Sequence, residues 1–392
     1  MILEKAKSIQ SYILEHRRHF HAHPELGYKE FQTAERVAAE LSALGLEPRT
    51  GVAVTGVVAD MVKGEGPTIA LRADMDALPI QEQTSLPFQS TVPNISHACG
   101  HDAHTAMLLG AAQLLHQEDF QGTIRFIFQP AEENNYDDPD RYSGGERMVK
   151  EQVMDGVDYA VALHQVPMMP SGVMSVQEGP IMAAADIFTI EIHGKASHGG
   201  LSPEMGVDAI VIAAQVISQL QTIVTRNISP TEAAVVSIGT INGGFAPNVV
   251  ADKVVLEGTS RALSQATMQV LRDRISAIAK QTAEMYGGTA IYDITQHYDV
   301  TENHPEAVKV GAEVAVGLLG SAERLIRIPP TMGAEDFSFM AQQVPSVFGL
   351  LGSMIAPEVS HSLHHPAMTL NEEVLPLGTA WLAETALALM KK

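Results

Sequence analysis

The 392-residue chain has one cysteine, one tryptophan, and aromatic residues at only 5% of its positions. A single thiol rules out an intrachain disulfide, so Cys99 is either a small buried apolar group or a reactive or metal-ligating one. Basic residues are also scarce. Only 25 lysines and arginines stand against 46 acidic residues, for a formal charge of −21, and they form no basic tract. That balance argues against nucleic acid or an anionic membrane as a partner. The one uncharged run that reaches the roughly 20 residues needed to span a bilayer, residues 337–357, is broken by Gln342, Gln343 and Pro345. The start, Met1-Ile2-Leu3-Glu4-Lys5-Ala6-Lys7, is charged where a signal peptide would be apolar. We therefore expect a soluble, cytoplasmic protein whose partner is a small molecule. Internal repeats and low-complexity tracts are absent as well.

What the chain does have is chemistry concentrated in two segments. Cys99-Gly100-His101-Asp102-Ala103-His104 is followed about thirty residues later by Gln129-Pro130-Ala131-Glu132-Glu133. Thiolate, imidazole and carboxylate together make a ligand set for a divalent transition metal, and adjacent glutamates can divide metal binding from activation of water. Three short apolar runs lead into such residues. Thr68–Ala73 runs into Asp74 and Asp76, Thr123–Phe128 into Glu132 and Glu133, and Tyr159–Leu163 into His164. Helical patterns separate the runs, which predicts a parallel α/β sheet whose ligands gather beyond the carboxyl ends of its strands. The segment Asp102–His116 reads as a mostly apolar helix with Cys99 and His101 at its entry, where the helix terminus favours a thiolate.

The pattern changes from Ile187 onward: strand 187–193, helix 206–225, strands 234–242 and 254–261, helix 264–286, strand 289–294. This β-α-β-β-α-β order is ferredoxin-like and self-contained. The α/β pattern then resumes with a helix over 306–319 and an apolar run over 347–351. The expected architecture is a catalytic domain, residues 1–184 and 296–392, interrupted by an inserted domain, 185–295.

Sixteen histidines are too many to be ligands, so they need sorting. His101 is the natural ligand, and His104 suits a supporting or helix-packing role. His16, His19, His21 and His23 belong to a first helix and its exit, where surface or capping roles are the default. His361, His364 and His365 cluster before Pro366, and spacing does not choose among them. His198, between Ser197 and Gly199, stands open between ligand, catalytic group and loop residue. Asn134–Arg141, acidic and with a proline, reads as an exposed loop.

Six segments occur in the order seen in the M20 metallopeptidase family: Leu71–Pro79, His97–Asp102, Gln129–Glu133, Gly194–His198, Gly333–Phe337 and His364–Pro366. Across nearly its whole length the chain resembles the amidohydrolase branch of that family. This branch includes aminoacylases, hippurate hydrolases, indole-acetyl-amino-acid hydrolases and N-acetyl-diaminopimelate deacetylases. The resemblance implies a zinc-peptidase-like catalytic domain with a dimerisation lid inserted. It implies two divalent ions per subunit held by Cys99, His101, Glu133, His164 and His364, with Cys99 shared between them. Glu132 looks like the general base, Asp74 like the carboxylate beside it, and Asp76 like a supporting partner. His198 is similar to the lid histidine that reaches the scissile carbonyl, and Asn248 and Arg261 to groups that hold a substrate carboxylate. The chain departs from the family pattern in the length of its 134–141 loop. It also has Met368 where an aromatic residue commonly follows His-x-Pro. Both departures bear on the shape of the substrate pocket.

The implied reaction is hydrolysis of the amide of an N-acyl amino acid by a homodimer or higher homo-oligomer. The alternatives are a deacetylase for N-acetyl-diaminopimelate and a carboxypeptidase for short peptides. Zinc, manganese, cobalt and nickel all suit mixed sulfur, nitrogen and oxygen ligands. Two rival classes are a cysteine hydrolase built on Cys99, which a chelator would not inhibit, and a non-catalytic metal-binding scaffold, which would have no use for Glu132.

Overall fold

β-Rich apolar runs alternating with helical ones produce an α/β fold, and the computed structural model describes residues 2–135 and 137–392. In chain order the helices are α1 (Ile2–Ser8), α2 (Gln10–Ala22), α3 (Phe31–Ala43), α4 (His101–His116), α5 (Gly144–Lys150), α6 (Ala209–Leu220), α7 (Thr222–Asn227), α8 (Gln265–Met285), α9 (Pro305–Leu319), α10 (Phe337–Ala341) and α11 (Leu375–Leu389). The strands are β1 (Arg49–Val52), β2 (Gly56–Val62), β3 (Thr68–Asp74), β4 (Thr123–Gln129), β5 (Tyr159–Pro170), β6 (Met174–Ser175), β7 (Gly179–Met182), β8 (Ala184–His193), β9 (Ala234–Gly243), β10 (Lys253–Ala262), β11 (Thr289–Tyr298), β12 (Thr301–Asn303) and β13 (Ser346–Met354).

The chain forms two compact units. One takes Met1–Ile181, Glu302–Pro329 and Asp336–Lys392, and the other takes Met182–Thr301 and Pro330–Glu335. The first is built on a seven-stranded sheet in the order β1-β2-β4-β3-β5-β13-β6. Its centre, β4, β3, β5 and β13, is parallel, as near-continuous apolar runs require when both faces are covered. β3 stops pairing with β5 at Arg72 opposite Ala162, so His164 lies two residues beyond the last β3 pair and is paired only with β13, opposite Leu350. Helix α4 is buried along almost its whole length and packs on β3, α2 and α11. Its fully buried Leu108, Leu109, Leu114 and Leu115 each contribute roughly 1.5–3 kcal/mol by leaving water.

The second unit is a four-stranded antiparallel sheet, order β11-β8-β10-β9, whose apolar face is covered by α6, α7 and α8. This is the ferredoxin-like arrangement, with longer limits than the sequence pattern marks. β11 runs on to Tyr298 because a register shift between Ile294 and Gln296 breaks its alternation. The helix expected over 206–225 starts later, at Ala209, where the Asp208 carboxylate accepts the Ile210 and Val211 N–H groups. It divides at Gln221 into α6 and α7.

Candidate metal centre

The parallel strands deliver their polar ends to one place in the first unit. Cys99 precedes the α4 cap, Gly100, which takes φ +98° and lies against Gln165, where an added Cβ would meet Gln165 Nε2 at 2.4 Å. Only glycine fits this turn. Gln165 holds it by donating to the Cys99 carbonyl at 2.7 Å, while Ser353 donates to Gln165 Oε1 at 2.6 Å.

Both central imidazoles are oriented from behind. His101 Nδ1 lies 2.9 Å from the Asp76 carbonyl oxygen and 3.2 Å from Asp76 Oδ1. His164 Nδ1 lies 2.5 Å from the Gln165 carbonyl oxygen, with its Nε2 3.4 Å from Cys99 Sγ. Each Nδ1–H donates, so Nε2 is the nitrogen left to take an ion. Glu133 Oε1 stands 3.9 Å from His101 Nε2 and 3.1 Å from His364 Nε2. His364 reaches this position with φ +65°, and its N–H donates to the Ala98 carbonyl.

The ligand atoms fall into two groups, Cys99 with His101 and His164, and Cys99 with Glu133 and His364; within each group they lie within 4.8 Å of one another. Cys99 is common to both. Buried His101 Nε2 and Glu133 Oε1 make no well-aligned hydrogen bond. Unsatisfied buried atoms of mixed softness converging on one thiol fit a divalent transition metal. Glu132 is buried beside them and joins His101 and Glu133 in a further cluster.

Asp74 is differently placed. It accepts from Arg72 Nη1 at 2.9 Å and from His104 Nδ1 at 2.7 Å, and its Oδ2 is 3.6 Å from His101 Nε2. His104 Nε2 in turn accepts the Gln165 N–H at 2.9 Å, which fixes the His104 tautomer. His104 therefore supports the site, as its spacing suggested. Burial alone would raise the Asp74 carboxyl, but His101, His104 and Arg72 outweigh it and hold Asp74 well below the usual range. Asp74 is thus an anion held by its neighbours.

Electrostatics also corrects the reading of Cys99. A helix terminus favours a thiolate, yet burial first and Glu133 next push this thiol well above its ordinary value. A lone buried thiol here stays protonated, which disfavours the cysteine-nucleophile reading, whereas a bound cation would deprotonate it. Burial, with His104 next, holds His164 well below the usual range, so its imidazole is neutral and fit to ligate.

His198 and Asn248 belong to the second unit and lie on loops paired by Gly199 N–H to Asn248 O at 2.8 Å and Val250 N–H to Ser197 O at 3.0 Å. His198 is exposed, and its Nδ1 accepts the Leu201 N–H at 2.9 Å. Arg261 stands apart on β10 and donates to the Met332 carbonyl at 2.8 Å.

Two expectations fail. His16 and His21, expected at the surface, are 2% and 1% exposed. His21 bridges Asp102 Oδ2 at 2.8 Å and Glu82 Oε1 at 3.1 Å, and Arg17 Nε also reaches Asp102 at 2.9 Å, so the helix turns its polar face inward onto α4. The 134–141 loop is not simply exposed either: Asn135 and Asp138 are buried, and Asp138 accepts from Arg147 and from the Asp140 N–H. Tyr136 in this loop lies outside the described residues. Met368 is 2% exposed. Sequence reasoning missed Glu30, Gln165 and Asp336, and gave Arg72 no role. Asp336 binds Arg72 Nη2 at 2.9 Å, Gln129 Nε2 at 2.7 Å and Gly145 N–H at 2.7 Å. The available signals were Arg72, a charge in the middle of a core strand, and the place of Asp336 in the Gly333–Phe337 segment.

The sequence profile of Peptidase family M20/M25/M40 matches residues 70–388. Thermostable carboxypeptidase 2 of Saccharolobus solfataricus is 37% identical, over 98% of this chain and 96% of its own. N-acetyl-L-cysteine deacetylase of Bacillus subtilis is 37% identical, over 95% of this chain and 87% of its own. Among solved structures, the Bacillus subtilis YXEP protein, described as a dinuclear metal-binding peptidase of the M20 family, superposes with a TM-score of 0.83 at 34% identity, covering 98% of this chain and 99% of that one. On the profile match and these full-length likenesses, the chain belongs to peptidase family M20/M25/M40.

Proposed function

We propose that this protein is a metal-dependent amidohydrolase that cleaves N-acyl amino acids to a carboxylate and a free amino acid. The observation that carries the reading is the pair of ligand groups sharing Cys99, with a second buried glutamate, Glu132, beside them. The first ion would be held by Cys99, His101 and His164, and the second by Cys99, Glu133 and His364. Zinc, manganese, cobalt and nickel all suit these donors. When bound, the two ions supply Lewis acidity that lowers the pKa of water and polarises the amide carbonyl.

The protein's own groups do the rest. Glu132 takes the proton of the attacking water and passes it to the leaving amine. Asp74, held by Arg72, keeps His104 in place, and Asp76 keeps His101 in place. His198 would donate to the oxygen of the scissile carbonyl as charge develops on it, and Asn248 and Arg261 would hold the substrate carboxylate. His198 would be supplied by a second copy of the chain. In support, the second unit exposes Leu201, Met205, Ile210, Val211, Ile241 and Phe245, an apolar set on α6, the edge strand β9 and adjoining loops that suits an interface between copies. We place the enzyme in the cytoplasm, with no nucleic acid or membrane partner.

The likeness to a carboxypeptidase favours one second reading, removal of carboxy-terminal residues from short peptides. A hydrolysis screen of the metal-loaded protein on acetyl, benzoyl, indole-acetyl and long-chain acyl amino acids, with dipeptides alongside, tests both readings. Turnover of one or more acyl amino acids above every dipeptide supports the proposal. The reverse order transfers it to the peptidase reading.

A further inference from the structure

The turn that carries Glu132 and Glu133 is held by a residue the reaction does not use. Ala131, immediately before the pair, has φ +49° and is fully buried, in a conformation that L-residues keep only where their surroundings enforce it. Its N–H donates to Glu30 Oε1 at 2.8 Å, and Thr55 Oγ1 donates to Glu30 Oε2 at 2.5 Å. Its carbonyl accepts the Gly144 N–H at 2.9 Å. Neighbouring glycines close the box: a Cβ on Gly27 would lie 3.0 Å from Ala131 Cα, and one on Gly144 would lie 1.6 Å from Pro130 O. On the far side of Glu132, the Glu133 N–H donates to Asp76 Oδ2 at 3.0 Å.

Glu30 itself is 0% exposed and forms no ion pair among the described residues. A carboxyl buried without a cation costs more than an apolar side chain of the same size, so packing does not account for it. What it supplies is an acceptor for the N–H of Ala131, the left-handed residue of the turn. We propose that Glu30 is a positioning residue: by gripping the Ala131 N–H it fixes the turn that aims Glu133 at the metal and Glu132 at the attacking water. The inference rests on the hydrolase reading for the role of Glu132, and on the ligand geometry alone for that of Glu133.

The test uses full-length Glu30→Gln, Glu30→Leu and Glu30→Asp proteins. It reads cobalt(II) affinity, hydrogen exchange at the 131–133 amides of the metal-free protein, and kcat and KM. Glutamine keeps an acceptor at Oε1, so Glu30→Gln is expected within about threefold of wild type in every readout, whereas Glu30→Leu weakens cobalt binding by about 10- to 100-fold. In the leucine variant the Ala131 amide also exchanges faster, and kcat falls while KM stays near wild type. A leucine variant with wild-type cobalt affinity and a protected Ala131 amide overturns the proposal, as does a glutamine variant as impaired as the leucine one. Should the leucine variant fail to fold, Glu30→Asp replaces it: the charge stays but the reach shortens by one methylene, so undiminished cobalt affinity there overturns the proposal equally. Cobalt affinity and exchange are independent of turnover, so a wild-type protein that hydrolyses nothing leaves this test standing.

Discussion

Glu132 and Glu133 are adjacent and carry the same charge, yet the proposed mechanism gives them different work. Glu133 faces His101 and His364 and shares a ligand group with Cys99. Glu133→Gln should therefore remove one ion, measured by elemental analysis. Glu132→Gln should leave both ions bound and lower kcat by roughly 10²- to 10⁴-fold, the usual worth of a general base. Exchanged phenotypes would reverse the two roles. Cys99 belongs to both groups, so Cys99→Ala should weaken both ions together, where a change at His164 or His364 weakens one. The place of the site was legible in the sequence, because thiol, imidazole and carboxylate stand at the ends of core strands, whereas the division between the glutamates, the choice of His364 and the sharing of Cys99 came only from the family resemblance. Glu30 was not legible: its partner is a backbone N–H 101 residues away, and no side-chain pattern records that bond. His21 was misread for a related reason. Histidines beside Arg17 and Arg18 look like a solvated face, and only the packing of α2 on α4 turns them inward.

Among elements, the amino terminus of α4 and the turn after β4 carry the site, and each has its own buried polar support. Asp102, 1% exposed, accepts from Arg17 and His21, and Arg17 continues to Glu372 at 3.0 Å. Asp102→Ala leaves two buried donors without an acceptor and should destabilise the fold by about 3–5 kcal/mol in urea denaturation. The β4 turn gives a pH signature. Burial first, and Asp76 next, push the Glu30 carboxyl from 4.5 up to about 8. The folded state therefore binds this proton more tightly than the unfolded chain. The associated stability is fully present below the unfolded value and is lost as pH rises through about 8. Glu30→Gln should flatten that decline, read as urea midpoints from pH 5 to 9. An unchanged slope would show that Glu30 already titrates normally. The strand-helix order of both units was readable from periodicity, but the ends of β11 and α6 were not, since a bulge and an Asp208 cap set them.

At the scale of the whole molecule, the proposed dimer predicts complementation. His198→Ala and Glu132→Ala should each be nearly inactive. Mixed under conditions that allow subunit exchange, they should regain up to about half the wild-type rate per heterodimer, because one of its two sites then has both groups intact. No recovery, once exchange is shown with differently tagged subunits, would place His198 in its own subunit's site. The apolar set exposed on the second unit supports the proposed interface between copies. The account's central claim, that a two-ion centre sharing Cys99 performs amide hydrolysis, is tested most directly by one titration. The initial rate on the best acyl amino acid is measured against the number of divalent ions bound per chain, starting from chelator-treated protein. The account predicts no turnover without metal and a rate that reaches its plateau as occupancy approaches two. Full turnover by demonstrably metal-free protein, or a plateau with no ion bound through Cys99, would contradict it.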